Sequence, residues 1–329
     1  MLEQIFMSLC KIHSPPRGEH TMIAHIKNFF EQRHISFQCD LQWGVYASLP
    51  SKKPSTSRDV LLMAHLDSTH TTIESCSSIQ YNDQTKIFSF HPEIGLDDKT
   101  GLAVILEIVE LYVEKKISVD FDIHILFSTK EEIGQQGLLN APLKDLFDVK
   151  KLRYALCIDR KTNRNFENKR HIVDEYCSIA LMENNEMLQV LNQAAQSVSL
   201  PMLTRQKSHN CADALELRIR LNLECFFEPQ SEEQRLLYEQ YNHITEQIRE
   251  KVFKNESIGF FRSGPRAERY DIANQIISHM PNTGICIANI SLDYDESRGN
   301  FDAQELKNTV VLLQQMLIQH NILIQQNQI

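Results

Sequence analysis

The chain has 329 residues, and its contents of 42% hydrophobic and 23% charged residues are typical of a globular protein. A formal net charge of −9 disfavours nucleic acid as a partner, because binding to nucleic acid requires a basic face. No apolar stretch approaches the roughly 18 residues of a membrane span, and the N-terminus lacks the basic and apolar regions of a signal peptide. The eight cysteines form no CxxC pair, which disfavours a zinc knuckle or a disulfide framework. We therefore expect a reduced, cytoplasmic protein that binds neither nucleic acid nor a membrane.

Helical and strand patterns alternate through the first half of the chain. Apolar residues at helical spacing indicate helices, short apolar runs bounded by turn residues indicate strands, and SPPRG at residues 14–18 separates the first two helices. The predicted helices are residues 2–12, 19–34 and 98–116, and the predicted strands are residues 35–41, 44–49, 60–65, 79–81, 86–90, 121–127 and 153–158. The third helix has a narrow acidic stripe and is otherwise apolar, so we expect it to lie flat on a sheet.

The patterns are weaker in the second half of the chain. The predicted elements there are helices at residues 184–199, 231–254, 267–278 and 302–319 and a strand at residues 284–291. Residues 205–262 show no clear sheet pattern, and we interpret them as an insertion or cap beside the core. Because strands alternate with helices, we predict one α/β domain over residues 1–329, a three-layer αβα sandwich with a mostly parallel central sheet.

One predicted strand organises the candidate site. Five apolar residues precede His65 in VLLMAHLD, which indicates a strand that is buried on both faces. Open α/β sheets bind ligands at the carboxyl ends of their strands, and His65 and Asp67 lie at such an end. A histidine alone is more often a core residue than a ligand. A carboxylate two residues later changes this balance, because it can fix the tautomer of a metal-bound imidazole.

Acidic residues end the next two strands as well. LFSTKEEIG places Glu131 and Glu132 after one strand, and LCIDR places Asp159 after another. Each has an ordinary alternative as a solvated helix start or a loop cap. Adjacent acids repel each other, however, unless a cation or a proton lies between them. If Glu132 binds a metal, Glu131 lies one water away from that metal, where a general base must be.

A pair of aspartates opens the long helix in GLDDKTG. Either Asp97 or Asp98 can cap the helix, since an aspartate at a helix start accepts hydrogen bonds from free N–H groups. One carboxylate is sufficient for a cap, so the second is available to bind or bridge cations. The four acidic stretches in one chain are a more specific signal of a metal site than any one of them.

The stretches HLD, GLDDKTG, STKEEIG and CIDR, in this order, resemble those of the co-catalytic zinc exopeptidase clan. This clan includes tripeptidase T, glutamyl aminopeptidases and single-domain bacterial leucyl aminopeptidases, and the likeness covers about the first half of the chain. The resemblance implies the zinc-exopeptidase (phosphorylase/hydrolase-like) fold. It also implies a metallopeptidase with one or two zinc ions, or with cobalt or manganese in their place, that acts on a short peptide or a related amide.

The resemblance also assigns roles around a first zinc ion. It implies that His65 and Asp159 bind this ion and that Asp67 orients His65. Asp97 would bridge the first ion to a second one. A cis peptide bond would join Asp97 to Asp98.

The ligands of the second zinc ion depart from the family pattern. Glu132 would bind this ion, and Glu131 would be the base that activates water. The last ligand of the family is a histidine in the loop between the final strand and the final helix, and that loop here, LDYDESR, has none. Asp295 is the best positional match, although a carboxylate in place of an imidazole can alter the preferred metal. The alternatives are a single working metal, or an imidazole supplied by His209 or His279.

Two features bear on the substrate. The segment between Asp67 and Asp97 is too short for the lid domain that some relatives carry there. The stretch SGPRAERYD resembles a loop where relatives often place substrate contacts, and the forked guanidinium of Arg266 or of Arg269 could bind a substrate carboxylate. A surface cluster of charge at a helix start is an equal alternative.

Three functions are compatible with these patterns. The first is a metal-dependent exopeptidase, foremost an aminopeptidase that acts on short peptides in the cytoplasm, with a homo-oligomer as an open option. The second is a deacylase or amidohydrolase that uses the same metal chemistry on a non-peptide amide. The third is a catalytically silent binding protein, which the missing histidine favours. The presence of both Glu131 and Glu132 disfavours it, since a silent site has no use for a base.

Overall fold

The computed structural model describes residues 1–51, 53, 58–69, 71–160, 171–175, 186–206, 213–254, 264–280, 285–292 and 296–326. Its helices are α1 (Leu2–Cys10), α2 (His20–Gln32), α3 (Ile73–Cys76), α4 (Lys99–Val113), α5 (Gln136–Asn140), α6 (Leu143–Leu146), α7 (Glu186–Ser197), α8 (Asp213–Arg220), α9 (Glu232–Phe253), α10 (Pro265–Ser278) and α11 (Ala303–Gln326). Its strands are β1 (Phe37–Asp40), β2 (Gly44–Leu49), β3 (Asp59–His65), β4 (Gln80–Asn82), β5 (Ile87–Ser89), β6 (Ile123–Ser128), β7 (Leu152–Arg160), β8 (His171–Glu175), β9 (Met202–Gln206), β10 (Cys286–Leu292) and β11 (Asn300–Asp302). A π-helical turn, Leu221–Phe226, continues α8.

The described strands form one large mixed sheet and one small antiparallel sheet. The order in the large sheet is β1-β2-β6-β3-β7-β10-β8-β9, and its central strands β6, β3, β7 and β10 are mutually parallel. Strands β1 and β2 extend one side in antiparallel pairing, and β8 pairs antiparallel with β10 and parallel with β9. Strands β11, β5 and β4 form the small sheet. The large sheet is flanked by helices, so the predicted αβα sandwich is confirmed.

Alternate residues of the central strands enter two different hydrophobic cores. In β3, Val60 and Leu62 face one core, whereas Leu61 and Met63 face the other, and all four are fully buried. Helices α1, α2, α4, α7 and α11 cover the first core, and helices α5, α6, α8, α9 and α10 cover the second. A strand that is covered on both faces has no polar side, which explains the continuous apolar run before His65.

Helix α4 lies flat on the sheet, as its sequence predicts. It packs on β3 and β7 and is covered by α1 and α11, so nearly all of its residues are buried. Glu110 in its acidic stripe is 5% exposed and forms an ion pair with Arg33, which follows α2. This packing places the N-terminus of α4 at the carboxyl edge of the sheet, beside the ends of β3 and β7.

Most predicted elements agree with the structure to within a few residues, but some elements were not predicted. The unpredicted ones are β8, β9, β11, α3, α5, α6 and α8. Residues 213–254 lie in the segment interpreted as an insertion or cap, and their helices pack in the second core. The boundaries of that segment and of the single domain stay predictions. None of the described helices combines the length and the apolar character that a membrane span requires.

A buried ion pair joins α8 and α10 inside the second core. Arg269 donates from Nη1 and Nη2 to the two carboxylate oxygens of Glu216, at 2.8 Å each. Its Nε donates to Thr245 at 2.9 Å, its Nη2 also donates to the Tyr241 hydroxyl at 2.8 Å, and Tyr270 donates to Glu216 at 2.9 Å. Arg269 and Glu216 are each 2% exposed. The expectation that Arg269 binds substrate is therefore wrong, and so is its alternative of a surface charge cluster.

We predict that Arg269→Met lowers the free energy of unfolding by about 3–5 kcal/mol, because it leaves the Glu216 carboxylate buried without its partner charge. The double variant Arg269→Met/Glu216→Leu should recover much of this loss, since it removes both charges. Urea denaturation monitored by circular dichroism measures both free energies.

The matched control is Arg235→Met, which removes an arginine from exposed ion pairs on α9 with Glu232 and Glu239. Its free energy of unfolding should change far less than that of Arg269→Met, because solvent screens exposed ion pairs. Equal losses in Arg269→Met and Arg235→Met would contradict the role of the buried pair.

Candidate metal centre

Three potential metal ligands meet at the carboxyl edge of the central sheet. One nitrogen of His65 and one oxygen each of Asp97 and Asp159 lie within 4.8 Å of one another. Strands β3 and β7 are parallel, with Met63 paired to Cys157, so His65 and Asp159 reach the same level two residues later. Asp97 comes from the loop before α4. The structure thus brings together the three residues that the sequence assigns to a first cation, and their role as ligands stays a prediction.

The imidazole of His65 presents Nε2 to both carboxylates. Nε2 lies 3.2 Å from Oδ1 of Asp97 and 3.9 Å from Oδ1 of Asp159, whereas Nδ1 lies 2.8 Å from the main-chain oxygen of Asp67. A carbonyl oxygen only accepts hydrogen bonds, so Nδ1 carries the proton and donates it. In the neutral ring Nε2 then has a lone pair directed at the carboxylates. One nitrogen and two carboxylate oxygens in this arrangement fit a divalent cation such as zinc.

The two aspartates before α4 have separate tasks. The peptide bond between Asp97 and Asp98 is cis, as the resemblance predicts. Asp98 caps α4, because its Oδ1 accepts a hydrogen bond from the main-chain nitrogen of Gly101 at 2.8 Å. A Cβ at Gly101 would lie 2.5 Å from the carbonyl oxygen of Ile158, so glycine is needed for β7 to approach this cap. Asp97 is left to face His65, in agreement with the expectation that one carboxylate suffices for the cap.

The carboxylate of Asp67 joins the end of β3 to the loop after β6. Its Oδ1 accepts a hydrogen bond from the main-chain nitrogen of Glu131 at 2.9 Å, and its Oδ2 accepts one from that of Glu132 at 3.1 Å. The same carboxylate lies 3.5 Å from Nδ1 of His65, farther away than the main-chain oxygen of Asp67. The predicted orienting contact therefore comes chiefly from the backbone of Asp67, while its side chain holds the two glutamates.

Glu131 and Glu132 differ in their surroundings. Glu131 is 8% exposed, and its carboxylate accepts a hydrogen bond from Nε2 of Gln135. Glu132 is more exposed and accepts a hydrogen bond from the Thr69 hydroxyl at 3.3 Å. Glu132 does not belong to the ligand cluster found within the described part of the chain. Its place in a second cation site stays a prediction.

Of the other predicted ligands of a second cation, only His279 belongs to the described residues, and it is not in this cluster. Asp295 and His209 lie outside the described residues. His279 is exposed at the end of α10, where its Nδ1 lies 2.8 Å from the carbonyl oxygen of Gln275. The described residues therefore offer three potential ligands for one cation.

Burial changes the protonation of the acidic side chains at this edge. It raises the pKa of Asp98 and of Asp159 well above the ordinary value for aspartate, and it raises the pKa of Glu131. It also raises the pKa of Glu132 to about 7. Neighbouring carboxylates reinforce the effect at all four positions, because like charges disfavour ionisation. In the absence of a cation, these acids therefore hold protons at a pH where exposed carboxylates are ionised.

The neighbouring carboxylates also change the pKa of His65. Burial alone would lower the pKa of His65, but the carboxylates of Asp67 and Asp97 beside the ring raise this pKa well above its ordinary value. A metal ligand must be deprotonated, so a cation has to displace the protons of the histidine and of the acids. The site is thus one in which protons and a divalent cation compete.

Three side chains that support the site were missed by sequence reasoning. Glu19 accepts a hydrogen bond from the main-chain nitrogen of Lys130 at 2.9 Å, Thr69 donates to Glu132, and Gln135 donates to Glu131. Gln135 follows Glu131 by four residues, the spacing of one helical turn, and this could have indicated their contact. The contact of Glu19 spans 111 residues of sequence, and no local pattern points to it.

Residues 44–202 match the family model described as Peptidase family M28. The resemblance to the zinc exopeptidase clan is confirmed. The matched range contains the three clustered ligands and both glutamates of the following loop, and it ends near the start of β9. No curated protein matches the sequence significantly.

Several solved structures, including two aminopeptidases, have the same fold as this chain. Aminopeptidase PepT from Bacillus cereus is 14% identical with a TM-score of 0.51, over 97% of this chain and 98% of that one. A TET aminopeptidase from a marine sediment archaeon of the Thaumarchaeota is 10% identical with a TM-score of 0.56, over 96% of both chains. PhTET1-12s, described as a dodecamer, is 12% identical with a TM-score of 0.52, over 96% of this chain and 98% of that one. The family match and the shared fold support the prediction of a metal-dependent exopeptidase.

We predict that the metal-free protein becomes less stable as the pH rises from about 5 to 8. The folded state holds Glu132 at a pKa of about 7, above the ordinary value of 4.5. In this interval the folded state binds more protons than the unfolded chain, so raising the pH favours unfolding. His65, whose pKa is also raised in the folded state, acts in the same direction. Urea midpoints measured with a chelator across this range test the prediction.

A saturating divalent cation should abolish this decline, because it neutralises the same carboxylates. The variant Glu132→Gln should show a smaller decline than the unchanged protein. A metal-free protein whose stability rises between these pH values would contradict the proton-binding character of the site.

Proposed function

We propose that the protein is a metal-dependent exopeptidase of the aminopeptidase type that hydrolyses short peptides. The observation that supports this most is the meeting of His65, Asp97 and Asp159 at one edge of the sheet, in a loop region that also presents the buried Glu131. The match to a peptidase family and the fold shared with aminopeptidases support the same reaction class.

Zinc is the cation that we propose, since imidazole nitrogen and carboxylate oxygen are both zinc ligands. His65, Asp97 and Asp159 would hold the first ion, and cobalt or manganese would fit the same donors. A second ion would use Asp97 as a bridge, Glu132 as a ligand and Asp295 as the remaining ligand. Elemental analysis of the purified protein measures whether a metal occupies this second position.

When bound, a divalent cation would polarise the scissile carbonyl group and lower the pKa of a coordinated water to about 7. The chain supplies Glu131 to move the proton. Its carboxylate takes the proton of the attacking water and then gives it to the leaving amine. Burial suits Glu131 to both transfers, because it raises the pKa of the carboxyl group toward neutral pH. Asp67 fixes the position of Glu131 by accepting its main-chain N–H.

The assembly state is a further part of this proposal. PhTET1-12s is described as a dodecamer, and this favours a homo-oligomer for the present chain. Size-exclusion chromatography with light scattering gives the mass directly. A cytoplasmic location stays a prediction.

We predict that the zinc-loaded protein hydrolyses amino-acid amides and short peptides from the N-terminus. A panel of amino-acid amides, dipeptides, tripeptides and N-acyl amino acids, together with elemental analysis of the protein, tests this directly. Hydrolysis of N-acyl amino acids alone would assign a deacylase instead. A protein that binds no metal and turns over no substrate on the panel would refute the enzyme and favour the silent binding protein.

We predict that Glu131→Gln lowers kcat by about 10²–10⁴-fold, because an amide of the same shape cannot take a proton from water. The metal content should stay unchanged, since Glu131 is not one of the three clustered ligands. Steady-state kinetics and elemental analysis of the same preparation measure both. The control is Glu114→Gln at the exposed end of α4, which should keep full turnover. Near-normal activity of Glu131→Gln would remove Glu131 as the base.

A further inference from the structure

A chain of buried hydrogen bonds reaches Glu131 from the last quarter of the sequence. Arg266, the second residue of α10, donates from Nη2 to Oε1 of Gln135. Gln135 in turn donates from Nε2 to Oε1 of Glu131. Arg266 and Gln135 are each 4% exposed, and Glu131 is 8% exposed. Water therefore competes little for these contacts, and each donor and acceptor depends on its protein partner.

Arg266 fixes which way the amide of Gln135 points. A guanidinium group has donors only, so the atom of Gln135 that faces it must be the carbonyl oxygen. The NH₂ group of the same amide is then the end that faces Glu131. If the amide were reversed, two donors would meet at Arg266 and two acceptors would meet at Glu131, and both contacts would be lost. The arginine thus ensures that Glu131 meets a hydrogen-bond donor.

The backbone holds Gln135 at the same place. Its φ of 50° is in the left-handed region, and its main-chain nitrogen donates to the carbonyl oxygen of Glu131 at 2.9 Å. The turn between Glu131 and Gln135 is therefore closed by a backbone bond and by a side-chain bond. The backbone sets where the side chain of Gln135 begins, and Arg266 sets how its amide is oriented.

From these contacts we infer that Gln135 and Arg266 are positioning residues for the general base. The inference rests on the proposed function, because it assigns a task to Glu131 that only a hydrolase needs. The amide of Gln135 engages Oε1 of Glu131, so the rotation of the carboxylate is fixed and Oε2 is presented for proton transfer. Arg266 reaches Glu131 through the amide of Gln135. The burial of Arg266 contradicts the alternative of a surface charge cluster, whereas a contact with a substrate carboxylate stays a prediction.

A positioning role has a specific kinetic signature. Neither residue belongs to the ligand cluster in the described part of the chain, so their removal should leave the affinity for zinc unchanged. A misplaced base slows the chemical step and leaves substrate binding intact, so kcat should fall while KM stays nearly constant. Loss of such a supporting contact typically lowers activity about 10–100-fold.

The test compares Gln135→Leu, Arg266→Met and the double variant with the unchanged zinc-loaded protein. We expect each single variant to lose about 10–100-fold in kcat with KM changed less than about twofold. The double variant should lose no more than Gln135→Leu alone, because Arg266 acts through Gln135. In a Glu131→Gln background neither substitution should lower the residual turnover further. Zinc affinity, measured by competition with a chromophoric chelator, should be the same in all variants.

Two matched controls separate positioning from loss of stability. Gln136→Leu removes the neighbouring buried glutamine, whose amide donates to the carbonyl oxygen of Ile133 instead. Arg220→Met removes another buried arginine, which donates to the carbonyl oxygen of Ala141 after α5 at 2.7 Å. Both controls should lower the Tm while keeping kcat within about twofold of the unchanged protein.

A measurement without substrate tests the contact itself. The sum of the Tm losses of Gln135→Leu and Arg266→Met should exceed the Tm loss of the double variant, since the two side chains share one interaction. Additive losses would overturn the coupling of Gln135 to Arg266, whether or not the protein is an enzyme.

If the unchanged protein is active and Gln135→Leu keeps full kcat, the positioning role is overturned while the proposed function stands. If the unchanged protein hydrolyses nothing, the proposed function fails and the positioning role falls with it.

Discussion

The candidate site depends on one buried carboxylate that accepts hydrogen bonds from two main-chain N–H groups. Asp67 is fully buried, and a buried anion requires hydrogen-bond donors. The N–H groups of Glu131 and Glu132 supply them, because β3 and β6 are adjacent parallel strands whose carboxyl ends lie side by side. These donors add no positive side chain, so the negative charge of the surrounding acids is preserved. The hydrogen bonds that shape the loop thus also preserve the negative charge that favours binding of a cation.

The parts of the molecule that follow from local sequence could be predicted. A strand covered on both faces shows an unbroken apolar run, and such runs marked β3 and β7. The acids and the histidine follow these runs directly, and parallel strands bring their carboxyl ends to one edge of the sheet. Helix α4 was predictable for the same reason, because its apolar surface is continuous along the chain. The cluster of His65, Asp97 and Asp159 needs only these local features and the order of the strands.

The parts that depend on distant partners could not be predicted. Arg269 and Glu216 are separated by 53 residues, and Arg266 and Gln135 by 131 residues, so nothing near them in sequence marks them as buried. A charged residue at a helix start usually lies on the surface, and here tertiary packing overrides that tendency. The short strands β8 and β9 gave no signal for a similar reason. They extend a sheet that the central strands have already formed. Pairing with the edge of that sheet stabilises them, although their own sequences show no strand pattern.

Two lysines beside the acids of the site donate to neutral carbonyl oxygens. Lys99 follows Asp98 but donates its Nζ to the carbonyl oxygen of Ile94 at 2.9 Å. Lys130 precedes Glu131 but donates to the carbonyl oxygen of Leu41 at 3.1 Å. An ordinary structural cluster of acids would be neutralised by such neighbours, because unpaired buried charges are costly. Because these two lysines donate to neutral oxygens, protons or a metal ion must balance the acids. This charge arrangement therefore supports the proposed cation site.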